Sequence, residues 1–189
     1  MGYFKHPTAV VESDDIGEGT KIWHFAHVRE RAKIGKNCVI GKSVYIDEGV
    51  EIGDRVKVQN FVSVYKGVRI EDDVLVGPSV TFTNDLYPRA FSWDADKITM
   101  TVVKEGASIG ANSTIVCGVT VGIGEYAMIG AGSVVTKDVP PFGLVYGNPA
   151  ELKGFVCYCG RKLSRIVREE GEKRVYKCEC GKEVETTRL

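Results

Sequence analysis

The chain has 189 residues, with 25 Lys and Arg against 25 Asp and Glu, so its formal net charge is zero. That balance argues against a general nucleic-acid or membrane-surface binder, since both need a positive field. Hydrophobic residues make up 43%, which supports a packed core rather than disorder, and no apolar run is long enough to insert across a bilayer. Gly numbers 22, about 12% against a usual ~7%, which suits many regularly spaced turns. The first ten residues carry His6 and Pro7 and lack the apolar core of a signal peptide. A cytoplasmic protein is expected, with its six cysteines as thiols or metal ligands rather than disulfides.

From Ile16 the chain keeps a period of six. Ile16, Ile22, Val28, Ile34, Ile40, Ile46, Ile52, Val58, Val64, Ile70 and Val76 are all Ile or Val. Those two residues are about a fifth of the chain, so such a run has a chance below roughly one in ten million. Four places on, Thr20, Ala26, Ala32, Cys38, Val44, Val50, Val56, Val62, Val68, Val74 and Val80 are all small or β-branched. Gly often follows the aliphatic, at Gly17, Gly35, Gly41, Gly53 and Gly77, and reads as a turn former. On a helix this stripe would wander around the surface. Short strands with a corner every six residues keep it inside. Three such strands close a triangular coil of about 18 residues, and stacked coils bury their faces against one another.

The period breaks after Thr81 and resumes at Val103, Ile109 and Ile115. It slips by two residues at Val121-Gly122 and continues at Ile123, Ile129 and Val135, with Ala107, Ser113, Val119, Ala127, Ser133 and Val139 in the small positions. About 17 hexads thus give close to six coils. Residues 82–102 are expected as an external loop. One that long in a compact repeat is functional or disordered, and Tyr87, Phe91 and Trp93 favour function.

The hexads resemble those of the hexapeptide-repeat acyltransferases. Six segments sharpen the likeness: HPTAV (6–10), KIWHFAHV (21–28), VKVQNFVSVYKGV (56–68), GPSVTFTNDLYPRA (77–90), IVCGVTVG (115–122) and IGAGSVVTKDVP (129–140). They look like the subfamily that N-acetylates nucleotide-linked 3-amino sugars for surface polysaccharides. Its nearest members are the UDP-2-acetamido-3-amino-2,3-dideoxyglucuronate N-acetyltransferases. The resemblance implies an all-β fold, a left-handed parallel β-helix over residues 1–150. It also implies a homotrimer with active sites between prisms, a nucleotide-sugar substrate and acetyl-CoA as cosubstrate, with no nucleic acid and no membrane insertion. The two extra residues at the slip and the cysteine-rich tail depart from the subfamily pattern.

The implied reaction is direct attack of a sugar amine on a thioester. An amine with a pKa of ~7.7–8.0 is already about 10–20% neutral at pH 7, and proximity alone supplies up to ~7–11 kcal/mol. A site poor in titratable groups is therefore sufficient. Stacking by coils puts Glu30, Glu48, Lys66 and Asn84 in one column, so Asn84 leaves the prism at a corner just as the loop starts. The resemblance places Asn84 beside the reacting amine, whose hydrogen bond its side-chain oxygen accepts; the commoner role of such an Asn is to stabilise a turn. Asp85 is a base or a cap. His24, beside Trp23, lies in an outward corner column with Lys42, Asn60 and Pro78, and is a candidate for substrate contact and catalysis. Gln59 and Asn60 are candidate polar contacts to the nucleotide-sugar, with a solvated or subunit-facing corner as the alternative. Lys66, Tyr87 and Arg89 are further substrate candidates, Arg being suited to bidentate recognition of a carboxylate or phosphate. The resemblance lays acetyl-CoA along the backbone of the C-terminal coils, at Gly110, Ala111, Gly130, Ala131, Gly132, Thr136 and Lys137. Pro149 and Ala150 fall in its end segment, where adenine packs. The alternative is that these small residues only turn corners.

Beyond residue 150, Cys157-Tyr158-Cys159-Gly160 and Cys178-Glu179-Cys180-Gly181 form a duplicated knuckle. Four thiolates suit tetrahedral zinc, although one residue, not the usual two, separates each pair. Residues 151–189 are read as a zinc-ribbon-like tail with a closed structural site; iron or a disulfide pair are the alternatives. Cys38 fills a small inward slot. Four other readings are weighed. A γ-type carbonic anhydrase needs three zinc-binding histidines on separate coils, whereas His6, His24 and His27 all precede residue 28. A non-catalytic scaffold leaves the Asn84 loop motif unexplained. Closest to the main reading are acetyltransferases for a dTDP-linked or a 4-amino sugar.

Overall fold

The computed structural model describes residues 2–92, 94–118 and 122–187. Strands of mostly two or three residues stack into three parallel sheets, the faces of a β-helix, and the one helical element among the described residues is a short 3-10 turn at Ala95–Lys97. Among the described residues no helix is long and apolar enough to cross a membrane.

The coil length is fixed by register. On the first face Lys21 pairs with Val39, Val39 with Lys57 and Lys57 with Leu75, each partner 18 positions on. The next step is 33 positions on every face, from Leu75 to Ser108, Arg69 to Val102 and Thr81 to Thr114, so 15 residues are inserted between Phe82 and Thr101. The following coil is two residues longer than a regular one, as Ser108 pairs with Met128, Val102 with Gly122 and Thr114 with Val134. Val119 and Val121, where the hexads place this slip, lie outside the described residues, as does Trp93.

Inside, the aliphatic and small columns interlock as one continuous core. The inserted segment begins later and ends earlier than the hexads suggest. Thr81–Phe82 and Thr101–Val103 are strands, so the excursion is 83–100, not 82–102. The pattern of letters breaks after Thr81 only because the next aliphatic slot holds an aromatic. Phe82 stands in register with Ile115 and is the largest fully buried side chain among the described residues.

The glycine after each aliphatic is not the turn former. A Cβ on Gly35 would come within 2.5 Å of the Gly53 backbone, so the small residue is required for one coil to rest on the next. The left-handed residue lies two places further on, as at Asn37 (φ 57) or Phe61 (φ 61). Its amide donates to a carbonyl of the preceding coil, Asn37 to Glu18 and Phe61 to Lys42. That ladder holds nine of the eleven non-glycine residues found at positive φ among the described residues despite the steric cost; Phe25 donates its amide to Thr8 Oγ1 instead.

The first face does not stop at residue 150. Gly143–Gly147 turns back into Ala150–Phe155, an antiparallel pair that ends the sheet, so the proposed domain boundary cuts through a strand. A three-stranded antiparallel sheet follows, Ile166–Glu170, Lys173–Lys177 and Glu183–Thr187. It covers a second small core of Phe155, Cys157, Leu163, Tyr176, Cys178 and Val184, against which Phe142 of the last corner packs.

Candidate active site

The predicted site residues fall on two edges of the second face, whose strands are His27–Val28, Tyr45–Ile46, Ser63–Val64, Thr81–Phe82 and Thr114–Ile115. The edge toward the first face carries a groove of about 320 Å³ lined by Trp23, His24, Lys42, Gln59 and Asn60 among others. The column His24, Lys42, Asn60, Pro78, Ala111 is visible as a hydrogen-bond ladder in which the amides of Ser43, Phe61, Ser79, Asn112 and Gly132 donate to those carbonyls in turn. Trp23 is stabilised by Phe4 at 5.6 Å. His24 lies exposed, its ring stacked on His6 at 3.5 Å. Burial, helped by the neighbouring His24, lowers the His6 pKa, so the pair is held uncharged at His6 near neutral pH. Asn60 has part of its capacity committed to the fold, because its Oδ1 accepts the Lys42 amide at 2.8 Å. Gln59 lines the same groove and has no such side-chain tie among the described residues.

The other edge, toward the third face, carries the excursion. Its base is tied at four points. Thr83 donates its amide to Ile115 and accepts the Cys117 amide on Oγ1, the Thr99 amide donates to Asn84 O at 3.2 Å, and the Thr101 amide donates to Gly67 O. The Asn84 backbone is thereby fixed while its side-chain amide has no hydrogen-bond partner among the described residues. Asp85 is a cap in this conformation, its Oδ1 accepting the Tyr87 amide at 2.9 Å. Tyr87 is 80% exposed, and Arg89 donates to its neighbour's carbonyl, Pro88 O. Lys66 Nζ stands 3.7 Å from Glu48 Oε2, so its charge is already partnered.

The cofactor candidates also divide. Gly110, Ala111, Gly130, Ala131 and Gly132 continue the first edge. A Cβ on Gly110 would meet Ala131 N at 2.5 Å, so coil stacking alone requires that glycine, whereas Gly132 (φ 71) has open space around it and takes the left-handed conformation that Asn112 (φ 58) holds one coil earlier. Thr136 and Lys137 lie exposed at the second edge. Lys137 and Ala150 meet in a groove of about 270 Å³ at the C-terminal end of the prism, walled by Pro140, Val145 and Leu152; Pro149 immediately precedes that wall. A single chain therefore brings together Trp23, His24, Gln59 and Asn60, and separately Lys137 and Ala150, but does not join His24 to Asn84.

Between the two edges is a polar network that the repeat analysis missed. Arg29 forms a two-pronged pair with Glu30 at 2.7 and 2.9 Å, and Tyr45 donates to Asp47 at 3.0 Å. The guanidinium holds the Glu30 carboxyl down at about 2. The signal was available, since Arg29 and Asp47 are 18 positions apart at the same corner, but acidic and basic residues read as a solvated face. His27 and Tyr45 extend this network along the face as edge-to-face rings at 5.7 Å.

In the tail, the four Sγ atoms of Cys157, Cys159, Cys178 and Cys180 lie within 4.8 Å of one another, with close pairs at 3.5 and 3.6 Å. Tetrahedral zinc with Zn–S bonds of ~2.3 Å sets sulfurs roughly 3.8 Å apart, so the donor set fits that ion; all four are free thiols. Both knuckles use the same turn. Cys157 O accepts the Gly160 amide and Cys178 O the Gly181 amide. The Lys182 amide and the adjacent thiols hold Cys180 down at about 7, whereas burial pushes the Cys157 thiol up to about 12.

A parallel β-helix of hexads, with grooves along two edges and a tied excursion at one corner, defines a hexapeptide-repeat transferase. Residues 15–48 and 49–84 match the bacterial transferase hexapeptide family (six repeats), and residues 101–137 match the hexapeptide repeat of succinyl-transferase. The chain is 49% identical over 185 residues, 95% of its length and 88% of the relative's, to the dTDP-3-amino-3,6-dideoxy-alpha-D-galactopyranose 3-N-acetyltransferase of Aneurinibacillus thermoaerophilus. It is similar to a hexapeptide-repeat acetyltransferase of Vibrio cholerae solved with acetyl coenzyme A, at 26% identity and TM-score 0.52, covering 73% of this chain and 71% of that one. The GDP-perosamine N-acetyltransferase of Caulobacter crescentus shares the fold, at 23% identity and TM-score 0.56, covering 82% and 57%. The chain belongs to the hexapeptide-repeat acyltransferase family, and it is an acetyltransferase.

Proposed function

We propose that this enzyme transfers the acetyl group of acetyl-CoA to the 3-amino group of a nucleotide-linked amino sugar, as a homotrimer of left-handed β-helices. The observation that carries the reading is the 49% identity to a sugar 3-N-acetyltransferase over 95% of the chain, excursion and tail included. A dTDP-linked 3-amino-3,6-dideoxyhexose is the preferred acceptor. For the UDP-linked uronate implied by the motif likeness, Lys66 is already paired with Glu48, which leaves Arg89, bonded to Pro88 O, as the cation for its carboxylate.

The trimer supplies what one chain lacks. The outward side chains of the second face, His27, Tyr45, Ser63, Thr81, Thr114 and Val134, carry no fixed charge, whereas the third face bears the Lys33–Glu51–Arg69 ladder. Packing copies by their second faces sets the His24 edge of one prism against the Asn84 edge of the next. Asn84 then orients the neutral amine, and Trp23, Gln59 and Asn60 hold the nucleotide-sugar. Tyr87 and Arg89 close over the sugar, while His24 or Asp85 receives the proton. The amine nitrogen forms the new bond to the acetyl carbon, the carbon–sulfur bond breaks, and the proton taken from the amine passes on to the sulfur, so that CoA leaves as the thiol. Lys137 meets a CoA phosphate and Ala150 the adenine. In the tail, the four cysteines hold one zinc in a closed, structural site.

CoA-thiol release with dTDP- and UDP-linked 3-amino and 4-amino sugars tests this directly. Turnover with the dTDP 3-amino sugar is expected. Turnover confined to the UDP uronate moves the assignment to that acceptor, and no turnover with any amine overturns it.

A further inference from the structure

The zinc knuckle is joined to the acyl-donor end of the prism in a way that stabilising the tail does not require. At the corner between the third and first faces, the left-handed residues of successive coils are Gly19, Asn37, Arg55, Asp73 and Gly106, then Tyr126 and Phe142. The first five are small or polar. The last two coils place aromatic rings at φ 55 and 59, a conformation that bulky side chains rarely adopt. These two rings stack on one another at 5.4 Å, and Tyr158 meets both edge-on, at 4.7 and 4.8 Å. Tyr158 is the residue between the two cysteines of the first knuckle. Lys182, just past the second knuckle, lies over the outer side of its ring at 4.9 Å. The backbone adds a direct link, the Val156 amide donating to Phe142 O at 2.8 Å.

We infer that zinc at the four cysteines, acting through Tyr158, sets the shape of the acetyl-CoA groove. Phe142 ends the corner that starts at Pro140, and Leu152 lies in the strand Ala150–Phe155 that leads into Cys157. Pro140, Ala150 and Leu152 are walls of the groove that also holds Lys137. Two of its sides therefore hang from the clamp. Four thiolates around one ion fix the backbone of Cys157 and Cys159, and so the direction in which Tyr158 points. Tyr158 itself is a positioning residue, remote from the reacting atoms. This inference rests on the readings of the donor groove and of the zinc given above.

The test compares the zinc-loaded full-length enzyme with Tyr158→Ala and Tyr158→Phe, each checked for one zinc per chain. Tyr158→Ala is expected to keep its zinc and its kcat and to raise the KM for acetyl-CoA about tenfold, with the acceptor KM unchanged. Its Phe142 and Val156 amides are expected to exchange roughly ten times faster, while the Ser63 amide in the middle of the prism does not change. Tyr158→Phe keeps the ring and should match the parent in every reading. If Tyr158→Ala does not fold, removing zinc from the parent with a chelator must produce the same faster exchange at Phe142 and Val156. Unchanged exchange and unchanged KM overturn the inference. A chain that takes up no zinc refutes the metal reading separately. Lys137→Ala with an unaltered acetyl-CoA KM refutes the donor reading, leaving any exchange effect of Tyr158 as a purely structural link.

Discussion

Phe82 joins the stability of the prism to the placement of the site, and Phe82→Ala separates the two effects. The ring is fully buried in a column otherwise filled by Ile and Val, and it sits two residues before Asn84 at the tied base of the excursion. Removing six ring carbons at ~0.8 kcal/mol each for fully apolar groups gives a transfer term of at most about 5 kcal/mol. Phe-to-Ala changes in well-packed cores cost ~3–5 kcal/mol. A triangular prism has little room to collapse, because each wall is hydrogen-bonded above and below, so the expected loss is about 4 kcal/mol. For a chain of this size that lowers Tm by roughly 8–16 °C. Ile46→Val, one coil pair away in the same column, is the control at ~0.5–1.5 kcal/mol. Denaturant and thermal unfolding give the stability, and thiol release well below the midpoint gives turnover. Turnover should fall too, because the Thr83 and Asn84 backbone is registered by the strand that Phe82 anchors. A Phe82→Ala enzyme within about 1 kcal/mol of the parent would show that the aromatic is not packed as described, and the argument from register would fail with it.

Asn84→Ala should lower kcat by ~10²-fold or more with the sedimentation of the protein unchanged, since only the side chain is removed and the backbone tie to Thr99 stays. Unchanged turnover removes Asn84 from the chemistry. Trp23→Ala should raise the acceptor KM about 3–10-fold with little change in kcat, read from steady-state kinetics at saturating acetyl-CoA. For His6 the folded protein disfavours the protonated ring, so the unfolded chain binds more protons below its ordinary pKa of ~6.5. Stability should then be flat above that pH and decline as pH falls below it. His6→Asn should flatten this part of the unfolding-midpoint profile between about pH 7 and pH 5, and an unchanged slope would assign the effect to other groups.

The repeat was legible because its cause is local. A column of Ile and Val every six residues has one solution, a strand and a corner, and the same count located the excursion and the two-residue slip. The donor set in the tail was legible for a similar reason, since four cysteines in two matching turns carry their geometry with them. Reading the glycines was harder. Sequence alone treats Gly35 as a turn former, but its role comes from the backbone of the next coil, 18 residues away, and the left-handed residue is Asn37. Phe82 was hidden because an aromatic breaks the pattern of letters without breaking the column of buried side chains. The Arg29, Glu30 and Asp47 network, despite its 18-residue spacing, and the Tyr126, Phe142 and Tyr158 trio were passed over for one shared reason. Their members are ordinary surface residues until coils stack and the tail folds back. The sequence determined the period, the coil and the candidate chemistry, because these follow from spacing along one chain. The same spacing put His24 and Asn84 in different corner columns, whereas tertiary structure alone decided that the cysteine knuckle leans on the last corner, because that depends on where the tail folds back.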